Sequence, residues 1–191
     1  VIPELLEWID KYPRIPMLYN YLGVAYMMSG QNEKAEQVVR DNYRRNPNYL
    51  FARLNYAQLF LAKGDYEKVA EILDHKFDLT LLYPGRKRFH ISEAANFLGI
   101  VGLYHLGTGQ RDAAKVCYRV LKQSAPGYPI TRQFRQALHP GPGQAHLARR
   151  ADAHRLGAVA VLRFQGGLRL LRVHPPQVRG VPQSDGTVLD Q

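Results

Sequence analysis

The chain has one cysteine, one tryptophan and three methionines in 191 residues, and it has no long apolar run. Each scarcity closes off a class of protein. Cys117 has no second thiol, so there is no internal disulfide, no Cys-based metal cluster and no paired redox motif. A lone thiol fits a reducing compartment, and the expected location is cytoplasmic. No segment approaches the roughly 18 apolar residues of a membrane-spanning helix, and the mean hydropathy is -0.33, so no membrane partner is expected. The first residues, Val1, Ile2, Pro3 and Glu4, lack an initiator Met, a basic region and a small-residue cleavage site. No signal peptide is expected from them, and they read as the start of a fragment.

Reactive constellations are missing as well. His75, His90 and His105 have no His or Cys three or four residues away, so no helical metal pair forms. Cys117 sits between Val116 and Tyr118 with no histidine close in sequence, the setting of an inert thiol. The glycine-containing stretch GTGQRD at 107–112 follows a helix pattern rather than a strand, which removes the phosphate-loop reading. No cofactor, metal site or catalytic residue is expected, and the chain reads as a non-enzyme.

Charge is plentiful but dispersed. The net charge is +10, enough in principle for a nucleic-acid or anionic partner. Up to Gln136, 8 Lys and 11 Arg face 13 acids, and from Ala137 onward 7 Arg face 3 Asp. Only Arg86, Lys87 and Arg88 form a tight run, with Phe89 beside it. A generally solvated basic surface is the simpler reading, and an anion contact through Arg86, Lys87 and Arg88 is the alternative.

What is present is a repeat. Pro13 and Pro47 are 34 residues apart, as are Gly30 and Gly64, and SGQNEKAEQVV aligns with KGDYEKVAEIL without a gap. A third copy, GTGQRDAAKVCYRVL, places Gly109 45 residues after Gly64, so 11 extra residues loop out between the second and third copies. Thirty-four residues make two short helices and two turns. Tyr19, Leu22, Gly23 and Tyr26 form one helical stripe, Gly30 ends that helix, and Asn32 is expected to cap the next one. Ala35, Val38, Val39 and Asn42 continue on one face until Asn46 and Pro47 stop the second helix.

With these residues in place, the chain resembles the tetratricopeptide repeat family. Tyr19-x2-Leu22-Gly23-x2-Tyr26, Ala35 and Pro47 fit its pattern, with Tyr for the usual Trp, and Ala114 and Pro126 fit it in the third copy. The second copy departs from it at Tyr56, Ala57 and Val69 and has no closing Pro. The resemblance implies an all-α fold, a right-handed α-solenoid of antiparallel helix hairpins with an irregular tail. Expected units are a second-helix remnant at 1–15, repeats at 16–49, 50–94 (with the insertion at 78–89) and 95–128, a partial capping helix at 129–140, and an atypical tail at 141–191. Three readings of that Arg-, Gly-, Pro- and Ala-rich tail compete: a flexible basic segment, a small separate unit, or a stretch translated out of frame. Its lack of Lys, Glu and Tyr favours the last.

By the geometry the resemblance implies, the concave groove carries Met17, Asn20, Val24, Met27 and Met28 from the first copy. The second contributes Phe51, Leu54, Asn55 and Gln58, and the third Asn96, Leu103 and Leu106. Asparagine amides can grip a peptide backbone without reading its side chains, and the methionines offer an adaptable apolar surface. Inter-repeat hydrogen bonding and gap-filling in the stack are the competing uses of the two residue types. Basic residues that would clamp a terminal carboxylate are absent from these positions, where Asn20, Val24, Asn55, Asn96 and Ile100 stand instead. The expected function is a protein- or peptide-binding scaffold. The alternatives are a nucleic-acid or anion-binding module acting through Arg86, Lys87, Arg88 and the basic tail, and the regulatory repeat region of a larger enzyme.

Overall fold

A computed structural model describes residues 1–140; the expectations for the tail fall on residues 141–191, outside that range. Among the described residues all regular structure is helical. The helices are α1 (Ile2–Lys11), α2 (Pro16–Met28), α3 (Asn32–Arg45), α4 (Leu50–Lys63), α5 (Tyr66–Ile72), α6 (Leu79–Leu82), α7 (Ile91–Gly107), α8 (Arg111–Ser124) and α9 (Pro129–Leu138). They pack chiefly with chain neighbours: α2 with α3, α4 with α5, and α7 with α8, while α4 also packs on α7 and α9 on α7 and α8. This is an α-solenoid of antiparallel helical hairpins.

The glycines that set the sequence period also make the turns. Gly30, Gly64 and Gly109 adopt φ of 75°, 71° and 80°, a region open to glycine at no steric cost. After each, the same pair of backbone bonds closes the helix: Gly30 N to Met27 O and Gln31 N to Tyr26 O, with equivalents at Gly64 and Asp65 and at Gly109 and Gln110. That pairing satisfies helix carbonyls that would otherwise lack donors. Asn32 does not cap α3: Gln31 holds the N-cap position without a side-chain bond to a backbone N–H of the helix, and Asn32 is the first helical residue. In the second hairpin the cap is Asp65, whose carboxylate accepts from Lys68 N at 3.1 Å.

The apolar interior is a series of three small clusters. Tyr19, Leu22, Tyr26 and Val38 form one, against which Ile2, Leu5 and Ile9 of α1 pack. Leu50, Leu54, Val69, Ile72, Phe97 and Ile100 belong to the central one. Ala114, Leu121, Ile130, Phe134 and Leu138 belong to the third. Val69, one of the positions where the second copy departs from the family pattern, is fully buried. α1 buries none of its own residues, and Leu6 and Trp8 remain 46% and 43% exposed.

The second hairpin departs most from its neighbours. α5 has 7 residues where α3 and α8 have 14. It stops because Asp74 and His75 turn to φ of 52° and 54°, and both types tolerate that conformation better than most. The following segment is a solvated loop only in part: Pro84, Gly85, Arg86, Lys87 and Arg88 are exposed, whereas the stretch before them packs inward. Leu82 is buried with the central cluster, and Phe77, Leu79 and Tyr83 pack against it. The insertion therefore occupies core space on a hairpin whose second helix is short.

Candidate functional site

The two sides of α2 are sharply different. Tyr19, Leu22, Gly23 and Tyr26 are buried, whereas Met17 and Met28 are exposed and Tyr21 and Val24 half-buried. Residues 17, 21, 24 and 28 lie on one stripe at helical spacing, opposite the buried face. On α4 the matching open positions are Phe51 and Asn55, both half-buried, and on α7 they are Asn96 and Leu103, also half-buried. Met27 is half-buried at the edge of the α2 stripe. Gln58 differs from the expectation: it is only 5% exposed and belongs to the stack rather than to an open surface. None of the open positions on these three stripes carries a formal charge.

Two of the three expected groove asparagines are joined. Asn55 Nδ2 donates to Asn20 Oδ1 at 3.1 Å, linking α4 to α2. The same oxygen accepts from Asn42 Nδ2 at 3.0 Å, and Asn42 also donates to Pro16 O at 3.1 Å. Asn46 completes the chain by donating to Asn42 Oδ1 at 3.0 Å. A buried amide needs such partners, and Asn42 is only 2% exposed. Asn20 Nδ2 and Asn55 Oδ1 make no hydrogen bond to another described residue. Asn96 stands apart from this network; its Nδ2 donates to Ser92 O one turn earlier, at 2.7 Å.

Aromatic rings gather at the start of α4. Tyr49 and Phe51 lie with centroids 5.9 Å apart. Burial pushes the Tyr49 phenol above its ordinary pKa, and the nearby Glu93 carboxylate and Tyr21 phenol add to the rise. Glu93 of α7 and Tyr21 of α2 thus act on Tyr49 electrostatically, with burial as the larger effect. The composition had given no sign of this junction; its signal is a tyrosine at the last residue before α4.

The basic cluster is brought together only in part. Arg86 is engaged: Nη1 and Nη2 donate to Glu93 Oε1 and Oε2 at 3.1 and 2.9 Å, and the guanidinium lies 4.4 Å from the Phe89 ring centroid. A bidentate pair of this kind is strong and directional. It holds the Glu93 carboxyl below the ordinary carboxylate range, helped by the His90 backbone N–H and opposed by partial burial. Lys87 and Arg88 are exposed and in no ion pair among the described residues.

Elsewhere, a groove of about 210 Å³ opens between α1, α2 and α3, lined by Leu6, Ile9, Leu22, Tyr26, Val38 and Arg45 among others. It contains none of the expected groove residues. Cys117 is half-buried, and burial raises its pKa, which keeps the thiol protonated. Among the described residues no group of three or more His, Cys, Asp and Glu could hold a metal ion, and no helix is long and apolar enough to cross a membrane.

No family model matches the chain, and no solved structure matches it. The TPR repeat-containing protein YvcD of Bacillus subtilis (strain 168) is similar, with 31% identity over 108 residues, or 56% of this chain and 21% of that protein. The chain therefore spans about a fifth of the length of the curated relative it matches. The likeness is to one portion of a longer protein that is named for its TPR repeats.

Proposed function

We propose that the protein is a helical-repeat scaffold that binds a peptide or protein segment along the open side of α2, α4 and α7. The observation that carries this reading is the uncharged stripe of Met17, Val24, Phe51 and Leu103, with the Asn20–Asn55 pair between its first two helices. Apolar atoms on the stripe supply contact area, and amide atoms not used within the fold supply backbone hydrogen bonds. Asn96 and Met27 extend the same surface. Gln58 acts behind it by supporting the stack.

The anion-binding alternative is weaker on chemical grounds. With Arg86 held by Glu93, the 86–88 cluster retains only Lys87 and Arg88, and phosphate affinity depends on the number of cations engaged; the basic tail that this alternative also invokes lies outside the described residues.

A display selection of peptides against the purified chain tests the proposal, with Val24→Asp and a Lys87→Ala/Arg88→Ala double variant as comparators. Peptides that bind the parent and the double variant alike but fail on Val24→Asp support the stripe. Ligands indifferent to Val24→Asp and lost with Lys87 and Arg88 would overturn it in favour of the anion reading.

A further inference from the structure

We infer that copies of this protein associate head to tail, with α1 of one copy packing on α9 of the next so that the two helices form a hairpin between chains. The contact uses none of the open positions on α2, α4 and α7, so it stands apart from the peptide reading.

Both helices are halves of a hairpin. Within the chain, first and second helices pair as α2 with α3, α4 with α5 and α7 with α8. α9 begins at Pro129, 34 residues after Ala95, where the third unit starts. It is therefore a first helix, and no second helix follows it among the described residues. α1 is a second helix: Trp8 and Pro13 stand 34 residues before Asn42 and Pro47. No first helix precedes it among the described residues. A repeat array is held together by contacts between neighbouring elements of these two kinds, so each of the two end helices presents the face that the other type covers.

The first hairpin supplies the register. There Asn42 donates to Pro16 O and to Asn20 Oδ1, and Val38 Cγ1 stands 3.9 Å from where a Gly23 Cβ would be. On α1, Trp8 and Glu4 hold the places of Asn42 and Val38. On α9, Pro129, Gln133 and Gln136 hold those of Pro16, Asn20 and Gly23. Arg132 and Arg135 hold the places of Tyr19 and Leu22, which cluster with Val38. Packed in that register, Trp8 of one copy meets Pro129 and Arg132 of the next, and Glu4 comes beside Arg135 and Gln136.

The two faces are complementary in charge. α1 carries Glu4, Glu7 and Asp10 against Lys11, whereas α9 carries Arg132 and Arg135 and no acid. Trp8 and Tyr12 are exposed, and α1 buries none of its own residues. Arg132 and Arg135 are exposed and in no ion pair or side-chain hydrogen bond among the described residues. Glu4 reaches only the chain's own amino group. A guanidinium can lie on an indole face and pair with a carboxylate at once, and Trp and Arg dominate the energetics of protein interfaces. The same charges disfavour the symmetric contacts, since α1 on α1 sets acid against acid and α9 on α9 sets base against base. Unlike faces meeting make a heterologous contact, which leaves one α1 and one α9 free for further copies.

Trp8 is the one tryptophan of the chain, so its emission reports this contact directly. Sedimentation equilibrium and fluorescence of the whole chain, from about 1 µM to about 0.5 mM, should show mass rising with concentration while the emission moves to shorter wavelength. Two ten-residue helices make a small interface. Half-association is therefore expected near about 0.1 mM, weakening severalfold in about 0.5 M salt. Trp8→Lys disables the α1 face, and Arg132→Glu/Arg135→Glu disables the α9 face. Each variant alone should lose self-association by about tenfold or more. Mixed, they should form a 1:1 dimer, and adding the tryptophan-free Trp8→Lys chain should shift the Trp8 emission of the other. Circular dichroism checks that both variants keep the parent's helix content. A parent that stays monomeric throughout, or whose emission is shifted independently of concentration, overturns the inference. Self-association that persists in either variant also overturns it, because the contact is then symmetric or lies elsewhere. A mixture that stays monomeric does the same.

Discussion

The Arg53 guanidinium donates from Nη1 to Asp74 Oδ2 across 2.7 Å, and from Nε to Pro47 O at 3.2 Å. One side chain thus ties the turn before α4 to the point where α5 stops. Its side chain is 10% exposed, whereas that of Asp74 is 51% exposed. Removal of Asp74 leaves a nearly buried cation with one carbonyl partner, and partial solvation of the pair moderates the loss. Asp74→Ala is expected to destabilise by on the order of 1–2 kcal/mol in urea unfolding. Asp74→Asn should be milder, since it keeps an acceptor and tolerates the positive φ of 52° at this position. Equal losses for the two variants would assign the whole effect to the Asp74 charge and none to a neutral acceptor or to the backbone conformation there.

Leu82 distinguishes a packed insertion from a solvated one. It is 7% exposed, while its neighbour Leu81 is 61% exposed. Leu82→Ala should cost about 2–5 kcal/mol through lost burial and a residual cavity. Leu81→Ala should stay within about 0.5 kcal/mol. Similar small effects at both positions, read from denaturant midpoints, would return the insertion to the status of a loose loop.

The contact between α7 and α9 depends on two glycines having no side chain. A Cβ at Gly99 would stand 2.0 Å from Ile130 Cγ1, and one at Gly102 would stand 2.2 Å from Phe134 Cε1. Alanine gains about 1 kcal/mol of helix propensity over glycine, but the overlap forces α9 to shift or repack, at about 1–3 kcal/mol or more. Gly99→Ala should therefore lower the thermal midpoint. Combining it with Ile130→Ala should destabilise less than the sum of the single changes, because the second substitution removes the atoms the first one strikes. Strict additivity would place the two residues out of contact.

Much of this fold is legible in the sequence because a few residues specify it locally. Gly30, Gly64 and Gly109 announce the hairpin turns by position, and Tyr19, Leu22, Gly23 and Tyr26 announce the buried face of α2 by spacing. The end of α5 was not legible. Asp74 and His75 adopt left-handed backbone without a glycine to mark it, so the helix pattern runs on past the true stop. Leu82 was hidden for a related reason: a four-residue helix has too little periodicity to separate a buried leucine from an exposed one. For the candidate site, the family resemblance put Asn20 and Asn55 on the first helices of successive hairpins but could not indicate how their amides are shared. That depends on Asn42 and Asn46, polar residues whose partners lie across the hairpin and on the neighbouring helix. Burial of Gln58 likewise follows from the close packing of α4, which single-helix spacing does not encode.

The Arg86–Glu93 pair gives the final prediction, a pH dependence with a definite sign. Glu93 has its folded-state pKa depressed, first by the Arg86 hydrogen bonds and also by the His90 backbone N–H. A depressed carboxylate binds protons less readily in the folded chain than in the unfolded one, so it stabilises the fold at any pH above its unfolded value. That contribution shrinks as pH falls below the ordinary glutamate value of about 4.3 and disappears below the lower folded-state value. Glu93→Gln keeps the shape and an acceptor for His90 but has no charge to lose. The stability difference between parent and Glu93→Gln should be largest near neutral pH, hold steady down to about pH 5, and narrow as pH falls below about 4.3. Urea unfolding of both proteins across that range measures it, with Arg86→Ala as a companion in which the pH-dependent gap should also narrow. A difference that stays constant down to the lowest pH would assign the effect of Glu93 to packing alone and remove the ion pair as an anchor for the insertion.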